Sequence, residues 1–306
     1  MSGGMSLIKK YYLYTKERFP IPATLLYAAA LFYLSYFFPN ALAAHGPAAI
    51  ADSVLGCLVL FMVLFEVRIL DEHKDYANDI IAHPDRMLSR GVITLPELRR
   101  VLWALLILQA GISLYLGPAP FAVWAAVQVY SLLMFREFFA PEFLHRHLWL
   151  YLLTHQLSVP LVLLFGISMR IGAGAVSYAD PPAALAFLSG SMLATINFEI
   201  ARKTWSPDRE HEQADSYTRA WGIGLTVIVN QFVALASGGA FVYLYLSFAR
   251  PMQYAIIIAA AFLVFFAAEM LFLGKRDNKS SKIVESAGAF FSLTVLITSA
   301  VCFYFM

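Results

Sequence analysis

"AAIADSVLGCLVLFMVLFEVRILDEHKDYAND", residues 48–79, sets a long apolar run directly against a charged one. From Ala48 to Leu70 the only charged side chains are Asp52, Glu66 and Arg68. That length exceeds the roughly 20 apolar residues a helix needs to cross the hydrocarbon of a bilayer. Four carboxylates, Asp71, Glu72, Asp75 and Asp79, follow at once. The helix therefore leaves the membrane with its acids gathered at the edge.

Composition extends this reading to the whole chain. Of 306 residues, 60% are hydrophobic and only 14% charged, with a mean hydropathy of +0.68. Soluble domains carry nearer a quarter charged residues, so the class is an all-α polytopic membrane protein. Nine segments read as transmembrane helices: 21–38, 48–70, 98–116, 119–136, 147–169, 182–201, 220–247, 252–273 and 283–306. The basic, amphipathic start, residues 1–20, reads as an interfacial helix and not as a cleavable leader. With the N-terminus cytoplasmic, every Lys and Arg except Arg170 and Arg250 falls on the inner side, 20 of 22, as the positive-inside rule requires. An integral, multi-pass protein follows, placed in the cell inner membrane if the source is bacterial. Cys57 and Cys302 lie in spans far apart in sequence, so neither a disulfide nor a thiolate metal site is expected. A net charge of +2 says little about partners once the charges are sorted by side, and no nucleic-acid partner is expected.

The chain reads as a single domain, 1–306, with a weak internal repeat of halves at about 21–145 and 146–306. "FEVRILDEHKDYAND" from Phe65 aligns with "FEIARKTWSPDREHE" from Phe198, matching Glu66 with Glu199, Asp75 with Asp208 and Asp79 with Glu212. Two similar helical units facing a shared central cavity are expected. Residues four apart share a helix face, so Asp71, Asp75 and Asp79 form one acidic edge. Mg²⁺ suits such an edge, since it takes carboxylate oxygens and completes its shell with water and substrate phosphate. Asp208, Glu212 and Asp215 supply the corresponding acids of the second half, on a short helix expected to begin at Ser206-Pro207. Arg86, Arg90, Arg136, Arg202 and Lys203 border these acids, and guanidinium groups grip phosphate oxygens in pairs. Acid for metal and base for phosphate describe a pocket for an anionic lipid head group.

These residues resemble the UbiA superfamily of intramembrane prenyltransferases. That family has nine spans, an inside N-terminus and an Asn-Asp-x-x-Asp-x-x-x-Asp run after its second helix. Here the run stands as "DEHKDYAND": Asp71 takes the Asn place, Glu72 the first Asp place, and Asp75 and Asp79 the others. An Arg-Pro-Leu-x-x-Gly-like segment follows as "PDRMLSRG", with Met87 in place of Pro. The second motif, Asp-x-x-x-Asp, survives as Asp208-x-x-x-Glu212, and "VYSLLMFREFF" places Arg136 where the family has basic residues. The resemblance implies a cytoplasmic cap of short helices over the cavity and a polyprenyl diphosphate entering from the lipid bilayer. Mg²⁺ would be held by Asp71, Glu72, Asp75, Asp79, Asp208, Glu212 and Asp215, and the diphosphate by Arg86, Arg136, Arg202 and Lys203. Ionisation to an allylic carbocation and capture by an acceptor of unspecified identity would complete the reaction.

Within the spans, Glu66, Glu199, His155 and Asn230 are cavity candidates. Ion pairing and helix–helix hydrogen bonding are the structural alternatives for such residues. Two other functions fit the same features: a UbiA-type terpene cyclase, in which the isoprenoid's own double bond attacks the cation, and a protein that binds or transports isoprenoid lipids.

Overall fold

Each apolar segment forms a helix because no other open structure satisfies its backbone polar groups in hydrocarbon. The computed structural model describes residues 6–42, 49–170, 180–210 and 216–306. Among these residues nine helices are long and apolar enough to span a membrane. They are α2 (Ile21–Ala41), α3 (Ile50–Lys74), α5 (Leu95–Leu116), α6 (Pro118–Phe135), the pair α8 (Leu148–Gln156) and α9 (Ser158–Ser168), α10 (Pro181–Arg202), α12 (Ile223–Ser247), α13 (Gln253–Lys275) and α14 (Asn278–Tyr304). Short helices sit between them at one end: α1 (Leu7–Arg18), α4 (Tyr76–Ala82), α7 (Pro141–Arg146) and α11 (Tyr217–Trp221).

Where the boundaries differ from expectation, caps and breaks explain why. The last span starts at Asn278 and not at 283, because the Asp277 carboxylate accepts the Ser280 N–H at 2.7 Å and caps the helix there. The fifth span is two helices, since the chain breaks at Leu157 and Ser158 Oγ donates to the His155 carbonyl at 2.7 Å. The helix expected at Ser206-Pro207 is a single 3₁₀ turn, Pro207–Arg209.

Two groups of helices meet side by side. In one, α3 packs on α5, α5 on α6, and α6 on α9; in the other, α10 packs on α12 and α14, and α13 lies between α12 and α14. They join where α2 packs on α14 and α9 on α10. Close approach depends on small residues: a Cβ on Gly288 of α14 would collide with Ala201 of α10. Each group also ties its helices with a buried acid and amides. Gln109 Nε2 on α5 donates to Glu66 on α3 at 3.0 Å, and Trp124 and Gln128 on α6 donate to Gln109 Oε1. Across the bundle, Asn230 and Gln231 on α12 donate to Glu269 on α13, and Asn197 on α10 donates to Asn230 at 2.8 Å.

Candidate active site

The edge that ends α3 is where the acids lie. Asp75 caps the helix and α4 continues after it, yet the i to i+4 pattern survives the bend. Asp75 N–H donates to Asp71 O, and Asp79 N–H to Asp75 O, both at 2.9 Å. The four acids are divided by their partners. Glu72, 1% exposed, takes Arg18 Nε at 2.5 Å. Asp79 takes Arg86 Nη1 at 2.5 Å and Arg18 Nη2 at 3.5 Å. Asp71 and Asp75 form no side-chain hydrogen bond or ion pair with any described residue. Burial first, then the charges of Asp71, Asp79 and Glu137 against the pull of Lys74, raise the Asp75 carboxyl to about 6.

Helix α1 makes this division. Tyr14 is fully buried in a cluster with Ile69, Met87, Leu88, Ile93 and Leu98. Lys10 Nζ binds Glu97 at 2.6 Å, and Glu17 accepts the Met87 N–H at 3.2 Å. The last bond needs a residue other than proline at 87, because proline has no N–H to give. Gly91, at φ +67, completes the turn as its N–H donates to Leu88 O, a backbone that suits glycine. Burial alone would lower Arg18, but the Glu72 and Asp79 carboxylates outweigh it and hold its proton more tightly.

A cavity of about 400 Å³ opens beside this edge, between the two helix groups. Its charged lining is Arg18 from α1, Arg68 and Asp71 from α3, and Glu199 and Arg202 from α10. Arg202 binds Glu199 through two nitrogens, the shortest contact being 2.7 Å, and Lys203 Nζ lies 3.3 Å from the same carboxylate. Arg68 forms no ion pair with a described residue. Phe19, Tyr27 and Phe198 give the wall aromatic faces. Thr24, Tyr27 and Phe198 also line an apolar cavity of about 240 Å³ against Ala289 and Leu293 of α14. A separate apolar groove of about 410 Å³ lies along α2 and α14, from Leu26 and Ala30 to Phe37 and Tyr304. A charged mouth thus adjoins an apolar cavity, the outline of an amphiphile with an anionic head.

The remaining sequence candidates are scattered. Arg136 is exposed and stacks over Phe135 at 5.8 Å, away from the cavity wall. Arg86 serves Asp79, and Lys203 lies between Glu199 and the Tyr217 ring. Asp208 is exposed on its 3₁₀ turn, while Glu212 and Asp215 lie outside the described residues. Glu66 and Asn230 belong to the two buried networks. Of the cavity candidates Glu199 lines the pocket, and His155 stands one residue from Gln156, which does. Sequence reasoning missed Arg18 and Arg68 as pocket cations. Arg68 carried a usable signal, since 68, 71 and 75 follow helical spacing along one stripe. Arg18 carried none, because its role depends on how α1 docks. Glu210 was also missed: Ser216 and Thr218 both donate to it, near 2.6 Å and at 2.7 Å.

Among the described residues no three carboxylate, imidazole or thiol side chains converge into a closed metal cage. Mg²⁺ does not need one, since one or two carboxylates with substrate phosphates suffice. Asp71 and Asp75, both unpaired, meet that requirement with hard oxygen donors. Glu72 and Asp79, expected to ligate as well, are instead committed to Arg18 and Arg86.

No protein-family model matches this sequence, and no curated protein matches it. Solved structures do match the fold over nearly the full chain. A structure of digeranylgeranylglyceryl phosphate synthase in membranes is 19% identical with a TM-score of 0.64, covering 97% of this chain and 99% of that one. A UbiA homologue from Aeropyrum pernix K1, without ligand, is 14% identical with a TM-score of 0.63, covering 88% and 97%. A UbiA homologue from Archaeoglobus fulgidus, bound to GPP and Mg²⁺, is 14% identical with a TM-score of 0.55, covering 90% and 98%.

Proposed function

We propose that this chain, which has the UbiA fold, is an intramembrane prenyltransferase that moves an isoprenoid chain from an allylic diphosphate to an acceptor. One observation supports the reading: the cavity with three guanidinium groups shares Thr24, Tyr27 and Phe198 with an apolar cavity that reaches Ala289 and Leu293 of α14. The diphosphate occupies the mouth, where Arg18, Arg68 and Arg202 surround it. Its negative charge grows as the C–O bond breaks, and fixed cations in a site closed to water stabilise that charge most. Phe19, Tyr27 and Phe198 stand at the junction of head and tail, where an allylic cation would form, and present ring faces to it. The apolar cavity aligns the chain and keeps water from the cation. Asp71 and Asp75 would hold Mg²⁺, which supplies Lewis-acid neutralisation of the leaving diphosphate. In this reading the N-terminus and the short helices face the cytoplasm, in keeping with the distribution of Lys and Arg.

The test uses the full chain in lipid nanodiscs with tritiated geranyl and geranylgeranyl diphosphates, with and without Mg²⁺. A lipid extract of native membranes serves as the source of acceptor. Mg²⁺-dependent diphosphate release, with label passing into a new extractable lipid, is the expected result. A cyclised hydrocarbon formed without extract would replace the transferase with a cyclase. No release under any condition overturns the proposal in favour of binding or transport.

A further inference from the structure

Beside the diphosphate pocket stands a second constellation that the fold strains itself to build. Glu137, Phe138 and Phe139 form a turn in which all three residues have positive φ, at 47, 51 and 59. A left-handed backbone costs roughly 1–2 kcal/mol for each residue with a Cβ, and such strain gathers where function requires it. The turn aims two side chains. Glu137 reaches Lys74 Nζ at 3.7 Å and His145 Nε2 at 3.3 Å. Phe138 lies edge-on between Tyr130, at 5.5 Å, and the imidazole of His155, at 6.2 Å.

His155 sits at the break of the fifth span. Its Nδ1 is 2.8 Å from the Tyr151 carbonyl, which only accepts, so Nδ1 carries the hydrogen. Nε2 is buried and has no hydrogen-bond partner among the described residues. A buried N–H without a partner is costlier than a bare lone pair, so Nε2 is a basic nitrogen. The Tyr151 ring stacks on the imidazole at 4.0 Å, and Lys74 Nζ is 3.1 Å from the Tyr151 hydroxyl. Lys74 and Asp71 from α3 and Glu137 from the turn are the charges that face the ring. The next residue, Gln156, lines the diphosphate pocket and accepts from Thr195 at 2.7 Å. Interrupted helices are where membrane proteins place reactive groups against a substrate.

We propose that this constellation is the acceptor subsite, in which His155 Nε2 takes the proton of the incoming nucleophile and Phe138 covers the site until the acceptor arrives. The inference rests on the prenyltransferase reading. In the step, the acceptor's X–H bond breaks and its proton passes to Nε2. The X–H electron pair forms the new bond to the first carbon of the isoprenoid, and the pair of the breaking C–O bond leaves on the diphosphate. The class of acceptor is one with an ionisable X–H, such as an alcohol or phenol hydroxyl. Displacing Phe138 relaxes the left-handed turn, so entry of the acceptor releases part of the strain.

The first measurement compares wild type with His155→Asn, whose amide keeps a donor for the Tyr151 carbonyl but has no nitrogen at the Nε2 position. Tritiated geranylgeranyl diphosphate, Mg²⁺ and the membrane lipid extract are the probes. Diphosphate release should persist, while transfer to lipid falls by about a hundredfold or more, the contribution expected of a general base. The label should emerge as prenyl alcohol. Transfer within about threefold of wild type would overturn the base assignment, far short of that contribution. If wild type itself releases no diphosphate, the prenyltransferase reading fails and this inference falls with it. The second measurement is free of activity: His155, followed by mass spectrometry of its own peptide, should react with diethyl pyrocarbonate faster in Phe138→Ala than in wild type, since Nε2 is the reacting atom and is otherwise buried. An unchanged rate would refute the role of Phe138.

Discussion

Arg18→Met removes the guanidinium that lies 2.5 Å from Glu72 and leaves a carboxylate that is 1% exposed without its partner. Breaking a buried ion pair from one side costs about 3–5 kcal/mol, because the orphaned charge remains desolvated. Asp79 keeps Arg86 at 2.5 Å, so the lower end, about 3 kcal/mol, is expected. At about 2–4 °C per kcal/mol, the Tm should fall by roughly 6–12 °C. Adding Glu72→Gln removes the orphaned charge and should recover most of that loss, which makes the two changes strongly non-additive. The assay is thermal unfolding followed by tryptophan fluorescence, with wild type, both single variants and the double variant in one detergent. Additivity to within about 0.5 kcal/mol would refute the reasoning, since independent sites behave that way. Glu72 would then be free to ligate metal. The same proteins provide a second reading: Glu72→Gln should leave the Mg²⁺ requirement for diphosphate release unchanged, whereas Asp71→Asn should raise it.

Other outcomes follow from the same geometry. Asp75→Asn should abolish diphosphate release while circular dichroism stays helical; full turnover would remove Asp75 from the site. In wild type, release should fall as pH drops through about 6, where Asp75 takes up its proton. Because the folded carboxyl holds that proton above its ordinary 3.8, its stabilising share is present below 3.8 and lost as pH rises through about 6. The gain in Tm from Asp75→Asn should therefore be larger at pH above 7 than at pH below 4. Ala289→Phe, in the apolar cavity that adjoins the charged mouth, should raise the KM for geranylgeranyl diphosphate more than that for geranyl diphosphate. Gly288→Val should lower Tm through the clash with Ala201, an overpacking cost of about 1–3 kcal/mol.

The fold was legible because hydrocarbon permits few solutions: nine apolar runs and a one-sided distribution of cations left little choice beyond exact ends. The site was legible only in part. That Asp71 and Asp75 share one edge could be read from spacing, since residues four apart lie on one helical face. Spacing cannot say which acids of a face are already paired, and Glu72 and Asp79 are paired by a residue more than fifty positions away. Arg136 illustrates the opposite error, a basic residue at the right span end whose side chain folds back over Phe135. Cap formation escaped for the same reason: Ser206-Pro207 has the residues of a helix start, yet tertiary ties from Glu210 and Thr204 hold the chain in a single turn.

Departures from the UbiA-like pattern that the sequence resembles fit together once α1 is in place. Met87 supplies the N–H that Glu17 accepts. Glu72 is a longer acid than Asp and meets Arg18. Each is a local oddity in sequence; together they fasten α1 across the acidic edge and set Arg18 in the cavity wall. A proline at 87 would cost one of those ties, and an aspartate at 72 would hold its carboxylate about one methylene further from the guanidinium. Met87→Pro with Glu72→Asp should therefore loosen α1. Limited proteolysis near Arg18 should accelerate, and the KM for the diphosphate should rise more than kcat falls if, as proposed, Arg18 binds the head group and does not touch the acceptor. A fall in kcat at unchanged KM would separate α1 from diphosphate binding and leave Arg68 and Arg202 as its cations.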